Sequence, residues 1–331
     1  YGTSAIARAQ IQAAGWISPT GESHLLDEQG GFLTSTRVPP CPGSDLPGYV
    51  PISRARLHDI LYRAAVTAGA QIRMGATVRA LEDDGAGVDA TFSDGTQRRY
   101  DLVVGADGVN SATRHLLFSG VDPEYSGFSN WRVTLPMPEP MQTVIWQMGD
   151  ETSFGIIPIS SHELYAALVT KEPGNPWFDP ETLLEKMRDR CTTYGGPARA
   201  VIERIPGPEA IIYTPIKEVI LPAPWYRGNV VLVGDAAHAS TPFWAQGASM
   251  AVEDVILLTR LLAQGRAISD LLAEWQTRRT ARCLFVQEGS KRTGVLGHSA
   301  GAAAQEQGRA HLRAHAQDDV NRRYDRLNQP I

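Results

Sequence analysis

Asp235 stands at the end of a short apolar run, and its position is the strongest chemical signal in the sequence. Residues 230–233 are all valine or leucine, a composition typical of a strand buried on both faces of a parallel sheet. Ligands of open α/β sheets bind beyond the carboxyl ends of the strands, so a carboxylate at that point can accept a hydrogen bond from one. Gly234 and Asp235 therefore predict a binding site for a ligand that carries hydroxyl groups.

A helical pattern begins shortly afterwards, at Gly247. Apolar residues recur every three or four positions, at Ala251, Val255, Leu258 and Leu262. A glycine at a helix start lets a ligand approach the main chain, where unpaired N–H groups favour negative charge. Together with Pro242 in the preceding loop and Ala248 beside the glycine, residues 228–263 predict half of a site for a cofactor with hydroxyls and an anionic group.

Residues 101–118 carry a second chemical signature. A buried strand leads into a tight turn, and Ser111 is placed to cap the helix that follows. The spacing D-G-x-x-S-x-x-R puts Asp107 at the end of the strand and Arg114 about one helical turn beyond Ser111. Asp107 and Gly108 therefore lie at the carboxyl end of the strand, and Arg114 lies in the first turn of the helix that follows.

The two signatures resemble those of FAD-dependent aromatic hydroxylases, the single-component monooxygenases with the para-hydroxybenzoate hydroxylase fold, among them salicylate and urate hydroxylases. The motifs G-D-A-A-H and P-x-x-x-Q-G-A, the acidic pair E-D and the D-G-x-x-S-x-x-R spacing carry the resemblance. It implies that Asp235 holds a ribityl hydroxyl and that Gly247 and Ala248 face the pyrimidine edge of the flavin. It also implies that the D-G motif at Asp107 and Gly108, together with Arg114, meets both FAD and NAD(P)H.

Arg54 lies in the first turn of a helix predicted at 52–69. The helix dipole does not favour a cation at that end, so an anionic partner explains this arginine better than the alternative, a solvated surface position. In the family, the arginine of R-x-x-L-x-x-x-L lies against the flavin nucleotide, and Arg54, Leu57 and Leu61 match that pattern. The resemblance further implies a cofactor contact at Val78.

The fold class implied by the resemblance is α/β, with a three-layer FAD-binding domain, an interleaved, mostly antiparallel substrate domain, and C-terminal helices. We assign residues 1–124 and 216–331 to the first domain, with a hairpin at 21–36 that joins the substrate sheet, and residues 125–215 to the second. A G-x-G-x-x-G turn, which would bind the pyrophosphate, is not found in residues 1–12. We therefore expect the sequence to lack an N-terminal βαβ unit and to bind FAD poorly alone.

Strands with alternating polarity, separated by turn residues, fill residues 125–213 and predict a mostly antiparallel sheet. The resemblance implies that this sheet lies over the flavin ring and roofs the substrate pocket. Candidates to line the pocket are Trp131, Arg132, Gln147, Phe154 and Tyr213. Packing or solvent exposure is the alternative for each of them, because successive strand positions point to opposite faces.

The resemblance implies a reaction in which NADH or NADPH reduces FAD, dioxygen forms a flavin hydroperoxide, and a small aromatic substrate receives one oxygen atom. The cofactor then carries the chemistry, so we assign no catalytic side chain. His238 could act as an acid or base, but its place in G-D-A-A-H favours a structural role beside the flavin loop. The alternatives are a flavin-dependent reductase or halogenase on the same scaffold, or a truncated remnant that holds no FAD.

Composition excludes several other classes. The 331 residues carry a formal net charge of −5 and contain no basic run, which gives no case for nucleic acid. No segment approaches the roughly 20 apolar residues of a membrane span. Cys41, Cys191 and Cys283 are far apart, so neither a disulfide framework nor a metal site is suggested and a reducing cytoplasm fits best. We expect a monomer or homodimer.

Two expectations concern the C-terminal third of the chain. Residues 271–297 predict a helix whose basic residues form a solvated face, namely Arg278, Arg279, Arg282, Lys291 and Arg292. Residues 299–331 have little apolar periodicity, which predicts a loose terminal helix or partial disorder.

Overall fold

The computed structural model describes residues 5–40, 42–43 and 46–331, so that Tyr1 and Cys41 lie outside the described residues. The helices are α1 (Ala5–Ala14), α2 (Arg54–Thr67), α3 (Ala112–Leu117), α4 (Leu183–Asp189), α5 (Gly196–Ile202), α6 (Asp235–His238), α7 (Gly247–Leu262), α8 (Ile268–Gly297) and α9 (Ala302–Leu327). The strands are β1 (Glu22–Asp27), β2 (Phe32–Arg37), β3 (Val78–Asp83), β4 (Val88–Phe92), β5 (Gln97–Tyr100), β6 (Val103–Gly105), β7 (Glu124–Pro136), β8 (Val144–Met148), β9 (Thr152–Pro158), β10 (Glu163–Lys171), β11 (Ile212–Glu218), β12 (Tyr226–Arg227) and β13 (Val230–Leu232).

The largest sheet has seven strands in the order β11-β7-β10-β9-β8-β1-β2. Adjacent strands of this sheet are antiparallel, except for β1 and β8, which are parallel. The hairpin of residues 22–37 therefore extends the edge of the sheet that the later strands form. One face of the sheet packs against α4 and α5, with Trp131, Leu168 and Met187 buried between them. We call this the helix-covered face. The opposite face, which carries Asn130, Arg132 and Tyr165, is called the open face.

A three-stranded sheet, in the order β12-β13-β6, positions the two signature loops. The strands β13 and β6 are parallel, with Val230 beside Val103 and Leu232 beside Gly105, so the loops that follow them leave the same edge of the sheet. The β-branched and leucine run of β13 is almost fully buried and packs in one core with α7 and α8. The remaining sheet, of β3, β4 and β5, is antiparallel.

Two segments differ from their sequence-based expectations. From the sequence we expect a strand at residues 71–74, but no strand forms there, and Met74 is exposed. Residues 302–327 form the 26-residue helix α9, so the helix is the correct one of the two alternatives, but it is held by contacts and is not loose. Polar contacts order this helix: the side chain of Gln317 accepts from the N–H of Arg37 and donates to its carbonyl, at 2.7 and 3.0 Å.

Candidate functional site

The loop after β13 turns sharply at Gly234 and presents Asp235 to solvent. Gly234 has φ +58°, and a Cβ at this position would lie 2.9 Å from the Cβ of Ala251, so the turn requires glycine. Asp235 begins α6 and is exposed. Its Oδ1 lies 3.8 Å from the point where a Cβ would stand on Gly247. The carboxylate therefore faces the start of α7 across a gap that a side chain at Gly247 would narrow.

The start of α7 is free of side-chain caps. Gln246 is its N-cap residue and makes no side-chain capping hydrogen bond, and the backbone before it passes through Ala245 at φ +52°. The first N–H groups of an α-helix have no acceptor within the helix, so those at Gly247 and Ala248 can donate to a ligand. Pro242 and Ala248 are exposed beside Asp235. The loop thus combines an exposed carboxylate with an uncapped helix start.

Asp254, in the middle of α7, holds the loop between β13 and α7 in place through buried hydrogen bonds. Its carboxylate is fully buried and accepts hydrogen bonds from the N–H of Gly234 at 2.8 Å, from Nε2 of His238 at 2.7 Å and from Nε of Arg279 at 2.7 Å. The same guanidinium donates to Glu253 at 2.7 Å. One buried acid therefore ties the turn before Asp235 to α6, α7 and α8.

The charges of this cluster support one another. Burial opposes the charged forms, but the contacts with Asp254 and Cys283 together outweigh it and raise the pKa of His238, while His238 and Arg279 lower the pKa of Asp254. His238, Asp254 and Cys283 bring an imidazole, a carboxylate and a thiol within 4.8 Å of one another, as a metal site would. The guanidinium of Arg279 already contacts both Asp254 and Cys283, so this arginine and the protonated His238 supply the positive charge of the cluster.

This arrangement corrects the expectation of a solvated basic face on α8 for two of its five residues, whereas Arg278, Lys291 and Arg292 are exposed as expected. Arg279 is completely buried, and Arg282 is nearly so because it makes a two-pronged contact with Glu253 at 2.6 and 2.7 Å. Both arginines lie on the side of α8 that faces α7. Their acidic partners are adjacent on α7, a pairing between distant helices that the periodicity of either helix does not reveal. A structural role for His238 agrees with its burial and its hydrogen bond.

Hydrogen bonds among its own residues stabilise the loop after β6. Asp107 accepts a hydrogen bond from the hydroxyl of Ser111 and two from Thr113, at 2.8 Å to the N–H and 2.9 Å to the hydroxyl. Burial alone would raise the pKa of Asp107, but these hydrogen bonds lower it below its usual value. The predicted helix cap is confirmed, because Ser111 accepts from the N–H of Arg114 at 2.9 Å. Gly108, at φ +80°, has open space where a Cβ would project.

Arg114 joins the two loops. It is completely buried, and its guanidinium donates to the carbonyls of Val109 at 2.8 Å, Val121 at 3.1 Å and Ala236 at 2.9 Å. The contact with Ala236 reaches into α6, directly after Asp235. Because the guanidinium is directed to main-chain carbonyls of both loops, Arg114 acts in the structure by positioning them. The sequence placed Arg114 in the site but did not show this connection.

Arg54 and Val78 lie at the edges of other elements. Arg54 is the first residue of α2 and is exposed. Burial raises the pKa of Tyr165 on the open face, and the charge of Arg54 offsets part of this rise, which places the two side chains in the same region. Val78 begins β3, is half-buried and pairs with Phe92. Arg54 thus faces the large sheet, whereas Val78 is positioned by its own small sheet.

Of the five predicted pocket residues, only Arg132 lies on the open face. Trp131, Gln147 and Phe154 are fully buried on the helix-covered face, so the prediction that they line the pocket is wrong. Gln147 is held there by a 2.6 Å hydrogen bond that its Oε1 accepts from the first turns of α5. Tyr213 points the same way, because its ring contacts Trp131 at 4.5 Å between centroids. Alternate residues of a strand point to opposite faces of the sheet. Most of the residues predicted to line the pocket belong to the helix-covered face and not to the open face.

The open face has an aromatic end that sequence reasoning missed. Phe243, in the loop between α6 and α7, lies with its ring centroid 5.2 Å from those of Phe128 and His298. His298 is buried and bridges α8 to the sheet, with Nδ1 donating to the carbonyl of Gly294 at 2.9 Å and Nε2 accepting from Ser153 at 3.1 Å. The loop that carries the cofactor signature therefore packs directly on the open face.

An α/β protein with an exposed acid after a parallel strand, an uncapped helix start and a facing antiparallel sheet has the architecture of a flavin-binding oxidoreductase. A family model described as "FAD binding domain" matches residues 47–288, and the chain belongs to this family. Its homologues include proteins named as monooxygenases and as FAD-dependent monooxygenases or hydroxylases, which makes the chain an enzyme of this kind and confirms the predicted family. Among the described residues, no helix is long and apolar enough to cross a membrane.

Several relatives specify the comparison. Aurachin C monooxygenase/isomerase of Stigmatella aurantiaca is 30% identical over 297 residues, 88% of this chain and 74% of that protein. The 2-heptyl-3-hydroxy-4(1H)-quinolone synthase of Pseudomonas aeruginosa is 30% identical over 287 residues, 84% of this chain and 72% of that protein. A crystal structure of Klebsiella pneumoniae HpxO complexed with FAD and uric acid matches with a TM-score of 0.85 at 24% identity, covering 97% of this chain and 83% of that one. This likeness confirms the predicted fold class.

Proposed function

We propose that the protein hydroxylates a small aromatic or heteroaromatic substrate, with NADH or NADPH as electron donor. The reaction consumes one substrate C–H bond, dioxygen, a hydride from NAD(P)H and a proton, and it forms the hydroxylated ring, NAD(P)⁺ and water. Bound FAD would supply the chemistry by accepting the hydride and activating dioxygen. The observation that carries the proposal is the exposed carboxylate of Asp235 facing Gly247 at the carboxyl end of a buried parallel strand.

The residues of the two loops fit a flavin nucleotide. Asp235 can accept a hydrogen bond from a ribityl hydroxyl, and the first N–H groups of α7, at Gly247 and Ala248, can stabilise negative charge on the pyrimidine edge. Asp107 stays ionised because hydrogen bonds lower its pKa, which keeps an acceptor at the second strand end. Arg54 offers a cation to the anionic part of the cofactor from the start of α2.

Other residues orient these groups and limit water. Arg114 and Asp254 fix the loops through main-chain contacts and are themselves completely buried, so binding would require little reordering of either loop. Phe243 and His298 close the aromatic end of the open face. A planar ring bound between this end and the polar side chains further along the sheet would be shielded from solvent on its apolar side.

The named activities of the relatives support a heteroaromatic substrate. Those relatives include the quinolone synthase, a 6-hydroxynicotinate 3-monooxygenase of Bordetella bronchiseptica and an FAD-dependent urate hydroxylase of Klebsiella pneumoniae, with 28 to 30% identity. Each of these names specifies a nitrogen-containing ring. The open face, with one arginine and no acidic partner described for it, suits a substrate of neutral or negative charge.

The test is a combined measurement on the purified protein supplied with FAD. With FAD in large excess, which offsets the weak binding expected for this sequence alone, we expect flavin absorbance bands on the protein. We also expect NADH or NADPH oxidation that is matched by oxygen uptake and by a hydroxylated product when a heteroaromatic substrate is added. Oxidation of NAD(P)H without a ring product would support the reductase, and a halogenated ring in the presence of chloride or bromide would support the halogenase. Failure to retain flavin would favour the non-catalytic remnant.

A further inference from the structure

We propose that Asn130, Arg132 and Tyr165 together bind one edge of the substrate, on which an N–H group lies beside a carbonyl oxygen, as in a cyclic lactam. The inference rests on the proposed function, because it assigns these side chains to the substrate that the open face would hold. It names the class of substrate and makes Asn130 and Tyr165 residues that determine specificity.

The three residues share one face through strand register. Asn130 and Arg132 are alternate residues of β7, and they pair with Val169 and Ala167 on β10. Tyr165 is the next residue of β10 that points the same way as these two. All three are half-buried, and the neighbouring strand β11 contributes Thr214 to the same face. Their polar groups therefore collect on the face that the loop with Phe243 also touches.

Two atoms of this group have no hydrogen-bond partner among the described residues. The guanidinium of Arg132 donates from Nη2 to the hydroxyl of Thr214 at 2.7 Å, but its Nε is buried and unpaired. Oδ1 of Asn130 is buried and unpaired as well. Buried polar atoms in folded proteins are nearly always hydrogen-bonded. An unpaired donor and an unpaired acceptor on alternate residues of one strand, and so on one face, are explained by a ligand that offers the complementary pair.

Tyr165 adds a second donor. Burial raises the pKa of its phenol, and hydrogen bonds and charge from Asn130 and Arg132, with the charge of Arg54, lower it in part. The net pKa remains above the usual value, so the phenol keeps its proton near neutral pH. Because the neighbouring amide and guanidinium donate toward the phenol oxygen, its O–H hydrogen is available to a ligand.

These groups distinguish between classes of ring. A lactam carbonyl can accept from Nε of Arg132 and from the hydroxyl of Tyr165, while its N–H donates to Oδ1 of Asn130. A carboxylate offers acceptors only and would leave Oδ1 of Asn130 facing another oxygen. A hydrocarbon ring would leave Nε of Arg132, Oδ1 of Asn130 and the hydroxyl hydrogen of Tyr165 without a partner, which sites built from buried polar groups reject strongly.

The test compares 2(1H)-quinolinone with N-methyl-2-quinolinone by titration calorimetry, with the protein saturated in FAD. Loss of one hydrogen bond to a buried acceptor predicts that the parent compound binds at least about tenfold more tightly. Asn130→Leu should abolish the preference, and Asn130→Asp, which keeps an acceptor, should retain it. Tyr165→Phe should weaken both compounds equally, because both keep the carbonyl. Tyr213→Phe, on the helix-covered face, is the control and should change neither affinity.

Four results would overturn the inference. These are equal affinity for the two quinolinones, a preference that survives in Asn130→Leu and so reflects only the bulk of the methyl group, tighter binding of quinoline-2-carboxylate than of the lactam, or no binding of either quinolinone. The outcome is separate from that of the proposed function. Preference for the lactam without NAD(P)H-dependent oxygen uptake would support the inference and refute the monooxygenase activity. Hydroxylation without this preference would support the monooxygenase activity and refute the inference.

Discussion

Replacement of Asp254 by alanine tests whether the buried cluster beneath the cofactor loop is a true anchor. The change removes a fully buried carboxylate and leaves three donors without their acceptor, namely the N–H of Gly234, the ring of His238 and the guanidinium of Arg279. Breaking a buried ion pair by removing one partner costs about 3 to 5 kcal/mol, mainly because the remaining charge is buried and unpaired. We expect a loss of that size in the free energy of unfolding.

Equilibrium unfolding in urea, without flavin, measures this loss directly. Asp235→Ala is the matched control, because its carboxylate is exposed and its removal should change the free energy of unfolding by less than about 0.5 kcal/mol. A cost below about 1 kcal/mol for Asp254→Ala would refute the anchoring role.

The same cluster predicts a dependence on pH. Although burial opposes the protonated form, the contacts with Asp254 and Cys283 raise the pKa of His238 to about 10, above the value of about 6.5 in an unfolded chain. The folded state therefore binds the proton more tightly, and this stabilisation is fully present below about pH 6.5 and is lost as the pH rises through about 10. Asp254→Ala should flatten this alkaline decline, and an unchanged decline would show that His238 is not its source.

Three further predictions concern other parts of the fold. Gly289→Ala would place a methyl group 1.9 Å from an atom of the Trp244 ring and should destabilise the protein by about 1 to 3 kcal/mol. Gly308→Ala, with open space at its Cβ, is the control and should stabilise the protein by about 0.5 to 1 kcal/mol. Thermal unfolding compares the two variants. Burial lowers the pKa of His298 to about 4, so stability should fall as the pH drops from about 6.5 toward 4, by up to about 3 kcal/mol, and His298→Asn should remove that fall in urea titrations. Arg54→Ala should weaken FAD binding in a fluorescence titration without changing the melting temperature of the flavin-free protein, and an equal loss of stability would mark it as structural.

The cofactor loops could be predicted from sequence because each is a local device. An apolar strand, a glycine at positive φ and an acid in the next position act within a few residues, as Gly234 and Asp235 show. The serine cap at Ser111 belongs to the same category and is confirmed by its hydrogen bond. Short-range rules of this kind need no knowledge of the tertiary fold.

The substrate face could not be predicted, because it depends on which side of a sheet is covered. Trp131 and Arg132 are neighbours in sequence and point to opposite faces, and only the packing of α4 and α5 decides which face is filled. The buried pairing of Arg279 with Asp254 was hidden for a related reason, since it joins two helices whose relative rotation is set by the core between them. The order of α9 likewise comes from contacts with distant segments such as the stacking of Arg323 on Trp244.

The most direct test of the cofactor site is the FAD affinity of Asp235→Ala, measured by flavin fluorescence against the unaltered protein. Removing the acceptor for a ribityl hydroxyl should cost about 1 to 3 kcal/mol, which is roughly 5- to 150-fold in affinity. Hydroxylation should fall with flavin occupancy, and excess FAD should restore part of it. If Asp235→Ala bound FAD with unchanged affinity, the carboxylate facing Gly247 would not hold the cofactor, and the site proposed for FAD would be contradicted.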